Sequence, residues 1–171
     1  MSAAPSKPAR YIDPRGHRFG AGLSLVVLTV AYLANVPILV ALIAAALAAS
    51  ALFGTQYSAL GKPWPFVRRA LKLGPAEPEH EYPPRFAQAL GAVVLTVGLL
   101  LFVAGANVGA WLAVAAVAGL QGLLAATGFC LGCRLFFLRW WIPDLFVRLT
   151  GGDPRAALPR GTVPTRLAKA R

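Results

Sequence analysis

Residues 86–106 and 109–129 read FAQALGAVVLTVGLLLFVAGA and GAWLAVAAVAGLQGLLAATGF, two uncharged apolar stretches joined by Asn107-Val108. A helix needs about 20 mainly apolar residues to cross the hydrocarbon core of a bilayer. Each stretch therefore predicts one membrane-spanning helix. Because the connection between them is short and carries no charge, the two helices are predicted to form a hairpin.

A second pair of apolar stretches, residues 19–35 and 37–53, precedes this one. About 17 residues at 1.5 Å rise give roughly 26 Å, against a hydrocarbon core near 30 Å. We therefore expect a tight fit to the bilayer. Pro37 follows the uncharged turn, where a helix tolerates proline, and Asp13-Pro14 predicts a capped helix start of the same kind. The chain is predicted to cross the membrane four times.

The distribution of charge predicts the orientation of these crossings. Of the 171 residues, 57% are hydrophobic and 13% are charged, with a net charge of +11, whereas soluble domains average about 25% charged residues. All 17 Lys and Arg fall before the first stretch, between the two pairs, or after the fourth stretch. Such residues are retained in the cytoplasm, so both termini are predicted to be cytoplasmic and the protein to lie in the cell inner membrane. The positive charge is interpreted as this retention signal, with attraction to anionic lipid headgroups, and no nucleic acid partner is predicted.

Outside the apolar stretches the composition changes twice. Residues 58–73 mix aromatic side chains with Lys and Arg, which is typical of a segment lying at the membrane interface. A similar basic and aromatic segment occupies residues 134–149. Residues 74–84 are rich in Pro and Glu and predict a solvated linker, and the residues after Gly151 predict a disordered tail.

The two halves of the chain resemble one another. Residues 18–30 and 85–97 are identical at 8 of 13 positions, including Arg-Phe and the run Val-Val-Leu-Thr-Val. Later, Leu60-Gly61 matches Leu131-Gly132. Apolar sequences coincide easily, but the order of the matches favours a duplication over chance. Each unit has an even number of crossings, so both insert the same way, as parallel repeats about an axis along the membrane normal.

The predicted fold is all-α, a four-helix transmembrane bundle of two parallel hairpin repeats, each followed by a basic interfacial segment. Its predicted parts are a cytoplasmic N-terminal arm (1–17), the first repeat (18–73), a cytoplasmic linker (74–84), the second repeat with the cysteine pair (85–149) and a disordered basic tail (150–171).

The two cysteines of the chain, Cys130 and Cys133, replace Ala59 and Lys62 of the first repeat. The sequence places them at the cytoplasmic end of the fourth helix, where a three-residue step puts both sulfurs on one helix face. They could be packed small residues, a redox-active dithiol or sulfane-sulfur acceptor, or metal ligands. A permanent disulfide is not expected in a reducing cytoplasm, so a working pair is expected to be reduced at rest.

Neighbouring residues bear on the reactivity of the pair. Arg134 and the basic segments favour the thiolate, whereas the C-terminal end of a helix disfavours negative charge. Gly128 and Gly132 are expected to loosen the helix enough for the sulfurs to approach.

A metal site is the weaker interpretation of the pair. A structural zinc site takes four ligands, and one chain offers two cysteines with His17 and His80, unless two chains supply four thiolates. His17 is interpreted as an interfacial residue and His80 as part of the solvated linker. The sequence analysis therefore assigns no metal ligand, and it predicts no cofactor.

The order of several short motifs resembles that of a known family. The motifs are IDPRG at 12–16, RFG at 18–20, PRFAQ at 84–88 and GFCLGC at 128–133. Together they resemble the bacterial integral membrane family catalogued as domain of unknown function 4395, over about residues 10–140. That family continues after the second cysteine with an acidic residue, where this chain has Arg134. Its members often lie near thiosulfate sulfurtransferases or thioredoxin-like proteins, so the resemblance implies thiol or sulfur chemistry by association.

The predicted function is the handling of thiols or sulfane sulfur at the cytoplasmic face. Cys130 and Cys133 are the predicted catalytic residues, with Arg134, Gly128 and Gly132 in support; whether the protein is an enzyme is left open. One alternative is a non-catalytic scaffold that docks a cytoplasmic sulfurtransferase or thioredoxin-like partner; another is a channel for small solutes or sulfur species. The predicted partners are the lipid bilayer, such a cytoplasmic protein and a second copy of the chain.

Overall fold

The computed structural model describes residues 11–74, 78–137 and 141–150, which are mostly helical. The helices are α1 (Pro14–Leu33), α2 (Pro37–Phe53), α3 (Trp64–Ala70), α4 (Tyr82–Val103), α5 (Asn107–Thr127), α6 (Leu131–Phe136) and α7 (Trp141–Leu149), with a 3₁₀ turn at Thr55–Tyr57. Two short strands, β1 (Tyr11–Ile12) and β2 (Glu79–His80), pair antiparallel.

Three of these helices, α1, α4 and α5, are long and apolar enough to cross a membrane. The helix α2 is apolar but has 17 residues. The prediction that all four apolar stretches are helical is confirmed, and α4 begins at Tyr82, four residues before the apolar stretch that starts at residue 86. Asp13 caps α1 as predicted, since its carboxylate accepts the Arg15 N–H at 2.9 Å and Pro14 is the first helical residue.

The four long helices share one apolar core. Helix α1 packs mainly on α5, helix α4 packs mainly on α2, and the members of each hairpin also touch. The residues Leu28, Val40 and Leu95 are fully buried at the centre, one from each of three helices, with Val114 of α5 beside them. Many large apolar side chains elsewhere on these helices are exposed, which suits helices surrounded by lipid rather than water.

The two long hairpins turn in the same way. Asn35 and Gly105 each follow the last turn of a helix with positive φ, 52° and 79°. In both turns the next residue donates its backbone N–H to the carbonyl five positions back, at 2.9 Å. This six-to-one hydrogen bond closes the C-terminus of each helix.

Two arginines at the opposite end of the helices complete the ends of α2 and α5. Arg85, on α4, is buried and donates to the carbonyls of Ala51 (3.0 and 2.9 Å) and Leu52 (2.9 Å) in the last turn of α2. Arg18, on α1, donates to two carbonyls in the last turn of α5, each at 3.1 Å. Each hairpin therefore has an arginine near its start that lies at the C-terminal end of a helix in the other hairpin. A positive charge is favourable there because the C-terminal end of a helix is partially negative.

The segment that precedes α4 is not fully solvated, contrary to the sequence prediction for residues 74–84. Glu81 and Tyr82 are buried, and Glu81 forms an ion pair with Arg85 at 3.5 Å. The ring of His80 stacks on that of Tyr11, which its strand faces in the short sheet. The Glu81–Arg85 ion pair holds the residues before α4 in place, because a buried carboxylate is costly without its cationic partner.

The first predicted interfacial segment forms α3, which is held to the start of α1. Trp64 donates from its indole N–H to the Asp13 carboxylate at 3.0 Å, and Arg68 approaches the same carboxylate at 3.7 Å. A Cβ at Gly16 would lie 2.8 Å from the Trp64 ring, so α3 contacts the backbone of α1 closely.

The second predicted interfacial segment forms α6 and α7. Phe136 is fully buried, and its ring packs against those of Phe86 on α4 and Phe146 on α7. Arg139 and the tail predicted to be disordered lie outside the described residues.

Candidate functional site

The cysteine pair begins a helix rather than ending one, and the sequence prediction was wrong on this point. Helix α5 stops at Thr127, and Gly128 follows in the left-handed conformation with φ +76°. Cys130 is extended (φ −101°, ψ 104°) and is the N-cap of α6, because its Sγ accepts the Cys133 N–H at 3.2 Å. A glycine just past the end of a helix is a common stop signal, so Gly128 could have revealed this break from the sequence.

The two sulfurs form a disulfide, with the Cα atoms of Cys130 and Cys133 5.2 Å apart. That separation is ordinary for a disulfide. In the sequence prediction both cysteines lie inside one regular helix, whose turn would have to loosen before the sulfurs could meet. Because Cys130 lies outside the helix, its side chain reaches Cys133 without distorting α6. A working pair is also expected from the sequence to be reduced at rest, whereas the structure contains the disulfide.

The two glycines beside the pair have steric roles. A Cβ at Gly132 would lie 2.6 Å from the Cβ of Ala87, so α6 can pack this closely on α4 only with glycine here. A Cβ at Gly128 would lie 3.4 Å from Nη1 of Arg18, and its positive φ disfavours any other residue. Both glycines therefore position the cysteines, although by close packing and helix termination rather than by loosening a helix.

The arginines expected to surround the pair make their described contacts elsewhere. The guanidinium of Arg134 lies over the Phe129 ring, 5.6 Å from its centroid. Arg68 approaches Asp13 at the start of α1. In the described part of the chain, the closest polar donor recorded at a sulfur is the backbone N–H of Cys133.

His17 is the residue of this site that the sequence analysis did not assign. A ring nitrogen of His17 and the sulfurs of Cys130 and Cys133 all lie within 4.8 Å of one another. Its Nε2 is shielded from solvent and has no hydrogen-bond partner among the described residues. Nothing local in the sequence links His17 to residues so distant in the chain. The packing of α1 on α5, with Arg18 bonded to the end of α5, brings them together.

Two cavities border this site. One, of about 140 Å³, is lined mostly by apolar side chains of α4 and α5, together with His17, Cys130 and Gln121. A wider cleft of about 610 Å³ extends from the same His17 and Gln121 toward Asp13 and Trp64. Cys130 lines the smaller of these two cavities, and His17 lines both.

A family model described as "domain of unknown function (DUF4395)" matches residues 12–140, from the end of β1 through α6. This match covers the cysteine pair and confirms the resemblance inferred from the four motifs. No curated protein and no solved structure matches the chain.

Proposed function

The chain belongs to the DUF4395 family, and we propose that it is a membrane-embedded dithiol–disulfide exchange protein acting through Cys130 and Cys133. The observation that carries this proposal is the disulfide that closes at the start of α6, beside a cavity. A pair closed in this way can cycle between two thiols and one disulfide without rearranging a helix.

The proposed frame is a four-crossing bundle of two parallel repeats. The two hairpins have the same turn, and Arg18 and Arg85, which align in the sequence, make reciprocal contacts with α5 and α2. A two-fold relation between the halves accounts for both facts. Helix α2 is proposed as the fourth crossing because it runs from the first hairpin turn to a last turn that Arg85 of α4 closes.

The exchange site is proposed to face the cytoplasm. Arg18, Arg85 and the cationic α3 lie at the end of the bundle that carries the cysteines, whereas the two hairpin turns at the other end are uncharged. Positive charge beside membrane helices is retained in the cytoplasm. The partner would therefore be a cytoplasmic thiol or disulfide protein.

The geometry supports a proposal in which the two cysteines have different roles. Cys130 receives the N–H of Cys133 at its sulfur, and hydrogen-bond donation stabilises a thiolate. The Cys130 thiolate would attack one sulfur of a partner disulfide and expel the other as a thiolate, giving a mixed disulfide. The Cys133 thiolate would then attack Cys130 and release the second partner thiolate. The pair loses two electrons and two protons, and the partner disulfide gains them.

Sulfane sulfur is a second substrate class, favoured by the small cavity beside Cys130. The Cys130 thiolate would attack the outer sulfur of an alkyl persulfide, break its S–S bond and expel an alkyl thiolate. The Cys133 thiolate would then attack the inner sulfur of the new Cys130 persulfide and expel hydrosulfide. This sequence also ends with the disulfide that the structure shows.

The test is trapping of an intermediate on the purified full-length chain in detergent. With Cys133→Ser, a small disulfide reagent should leave a stable mixed disulfide on Cys130, measured by intact mass. Cys130→Ser is the matched control, in which Cys133 is the only thiol left to attack. Cys133 should react about tenfold more slowly than Cys130 does in the other variant, because the backbone N–H of residue 133 stabilises a thiolate at Cys130 and not one at Cys133. A persulfide donor in place of the disulfide reagent tests the second substrate class.

Wild-type protein should also open its disulfide under a soluble dithiol and close it again on oxidation. If the pair resists both reactions while the chain remains folded, or if the two single variants react equally, the proposal is wrong. A packing role for the two sulfurs would then be the better account.

A further inference from the structure

We propose that the reduced Cys130 and Cys133, together with His17, form a three-ligand site for a thiophilic divalent cation of the Zn²⁺ class. The inference rests on the proposed function in one respect, since the disulfide must open to free the two thiols. It adds a metal-bearing form of the reduced protein and a role for His17.

Geometry supplies the first argument. The imidazole nitrogen and the two sulfurs already lie within 4.8 Å of one another, with His17 on α1 and both cysteines in the first turn of α6. Ligands bound to one zinc at about 2.0–2.3 Å lie roughly 3.5–3.8 Å apart at tetrahedral angles. Opening the disulfide and small side-chain shifts would bring the three atoms to that spacing.

The unpartnered nitrogen of His17 supplies the second argument. Its Nε2 is shielded from solvent and has no hydrogen-bond partner in the described part of the chain. A buried polar atom without a partner costs free energy. A cation bound at Nε2 would remove that cost.

Charge supplies the third argument. Two thiolates, a neutral imidazole and one divalent cation sum to zero formal charge, which suits an apolar, half-buried site better than two bare thiolates. Thiolate and imidazole ligands select zinc and other thiophilic metals over magnesium or calcium. Binding releases one proton from each thiol, so the reduced pair and one cation give the complex and two protons.

The cavity beside Cys130 and His17 leaves room for a fourth ligand. Three protein ligands with one open position are typical of zinc sites that bind or activate a small molecule. Oxidation of the pair to the disulfide removes two ligands, so the same residues would release the cation when oxidised.

The test uses the reduced full-length chain in detergent without oxygen, and Co²⁺ and Zn²⁺ alone as probes. Co²⁺ should give thiolate charge-transfer absorption with one ion per chain, and Zn²⁺ should displace it. His17→Ala should weaken binding at least tenfold, as expected for a lost ligand. The matched control His80→Ala, which changes the other histidine, should leave affinity within about twofold.

Disulfide opening and closing are measured on wild type without added metal, and metal binding on the reduced chain, so failure of this inference is distinguishable from failure of the proposed function. Equal binding by wild type and His17→Ala, a lack of sulfur-to-metal absorption in reduced wild type, or one ion shared by two chains would each overturn the three-ligand site. If His17→Ala instead slows thiol exchange and leaves metal binding unchanged, His17 is a proton acceptor for the dithiol and not a ligand.

Discussion

Gly132 lies where α6 crosses α4, and its missing side chain sets the distance between the two helices. A Cβ at this position would lie 2.6 Å from the Cβ of Ala87. Cys133 follows directly in the chain, so any outward shift of α6 also moves a sulfur. The position of Cys133 therefore depends on residue 132 having a hydrogen atom where alanine has a methyl group.

Gly132→Ala is therefore expected to destabilise the protein by about 1–3 kcal/mol through overpacking and to slow closure of the Cys130–Cys133 disulfide. Thermal unfolding in detergent and the rate of thiol loss after oxidation measure the two effects. Gly119→Ala is the control, because nothing lies within 4 Å of a Cβ there. Adding Ala87→Gly to Gly132→Ala should restore only part of both values, because the Ala87 Cα would still lie 2.8 Å from the new Cβ. No restoration at all would show that the contact with Ala87 is not the cause.

Arg85 is a second residue whose contribution can be measured. It is buried together with Glu81, its ion-pair partner. Arg85→Gln should lower the free energy of unfolding by about 3–5 kcal/mol, because it leaves a buried carboxylate unpaired. Chemical denaturation in detergent gives that value.

A matched pair of variants isolates the cause. Arg18→Gln removes the corresponding arginine of the other hairpin. Arg18 is more exposed than Arg85 and forms no ion pair with an acidic side chain among the described residues. Its loss should lower the free energy of unfolding by about 1 kcal/mol. The double variant Arg85→Gln with Glu81→Gln should recover part of the loss. Equal losses for Arg18→Gln and Arg85→Gln would contradict the buried-charge argument.

At the scale of elements, the two hairpin turns have the same hydrogen bonds but different residues at the left-handed position. Asn35 occupies this position in the first turn and Gly105 in the second. Asparagine tolerates positive φ better than most residues, and glycine has no penalty there. The difference shows that backbone conformation, rather than residue identity, is what the two turns share.

Gly105→Ala should cost about 1 kcal/mol of stability, since alanine disfavours the left-handed region. Asn35→Gly should change stability by only a few tenths of a kcal/mol. Thermal unfolding of both variants in detergent gives the comparison. A Gly105→Ala variant as stable as wild type would mean that the turn adopts another conformation in the folded protein.

At the scale of the whole molecule, one end of the bundle carries the cations, α3, α6 and the cysteine pair, and the other end carries two uncharged turns. This polarity is the basis for the proposal that the site faces the cytoplasm. Lys62 is exposed at the end that carries the cysteines, and Asn107 is exposed at the end that carries the two turns. Both positions can therefore be used to test the orientation.

In a background with Cys130 and Cys133 replaced by Ser, a single cysteine at Lys62 should be protected from a membrane-impermeant thiol reagent in spheroplasts. A single cysteine at Asn107 should be labelled, because its turn faces the other side. Permeabilised cells provide the control in which both positions react. Labelling of Lys62→Cys in sealed spheroplasts would reverse the proposed orientation.

The sequence alone determined the features that depend on neighbours in the chain. The lengths of the apolar stretches predicted the long helices, Asp13-Pro14 predicted the start of α1, and the order of four short motifs between residues 12 and 133 predicted the family. These signals are local, since hydropathy and capping act within one or two turns. Even the break at Gly128 was present in the sequence as a helix stop signal.

Only the tertiary structure decided which distant residues meet. His17 reaches the cysteines because α1 packs on α5, and Arg85 is buried because α4 packs on α2. No periodicity within a helix specifies which other helix it packs against, because apolar faces are similar and lipid is as apolar as a neighbouring helix. Which helices pack together is set by close contacts at small residues and by Arg18 and Arg85 at the helix ends. The composition of the candidate site was therefore decided by tertiary packing.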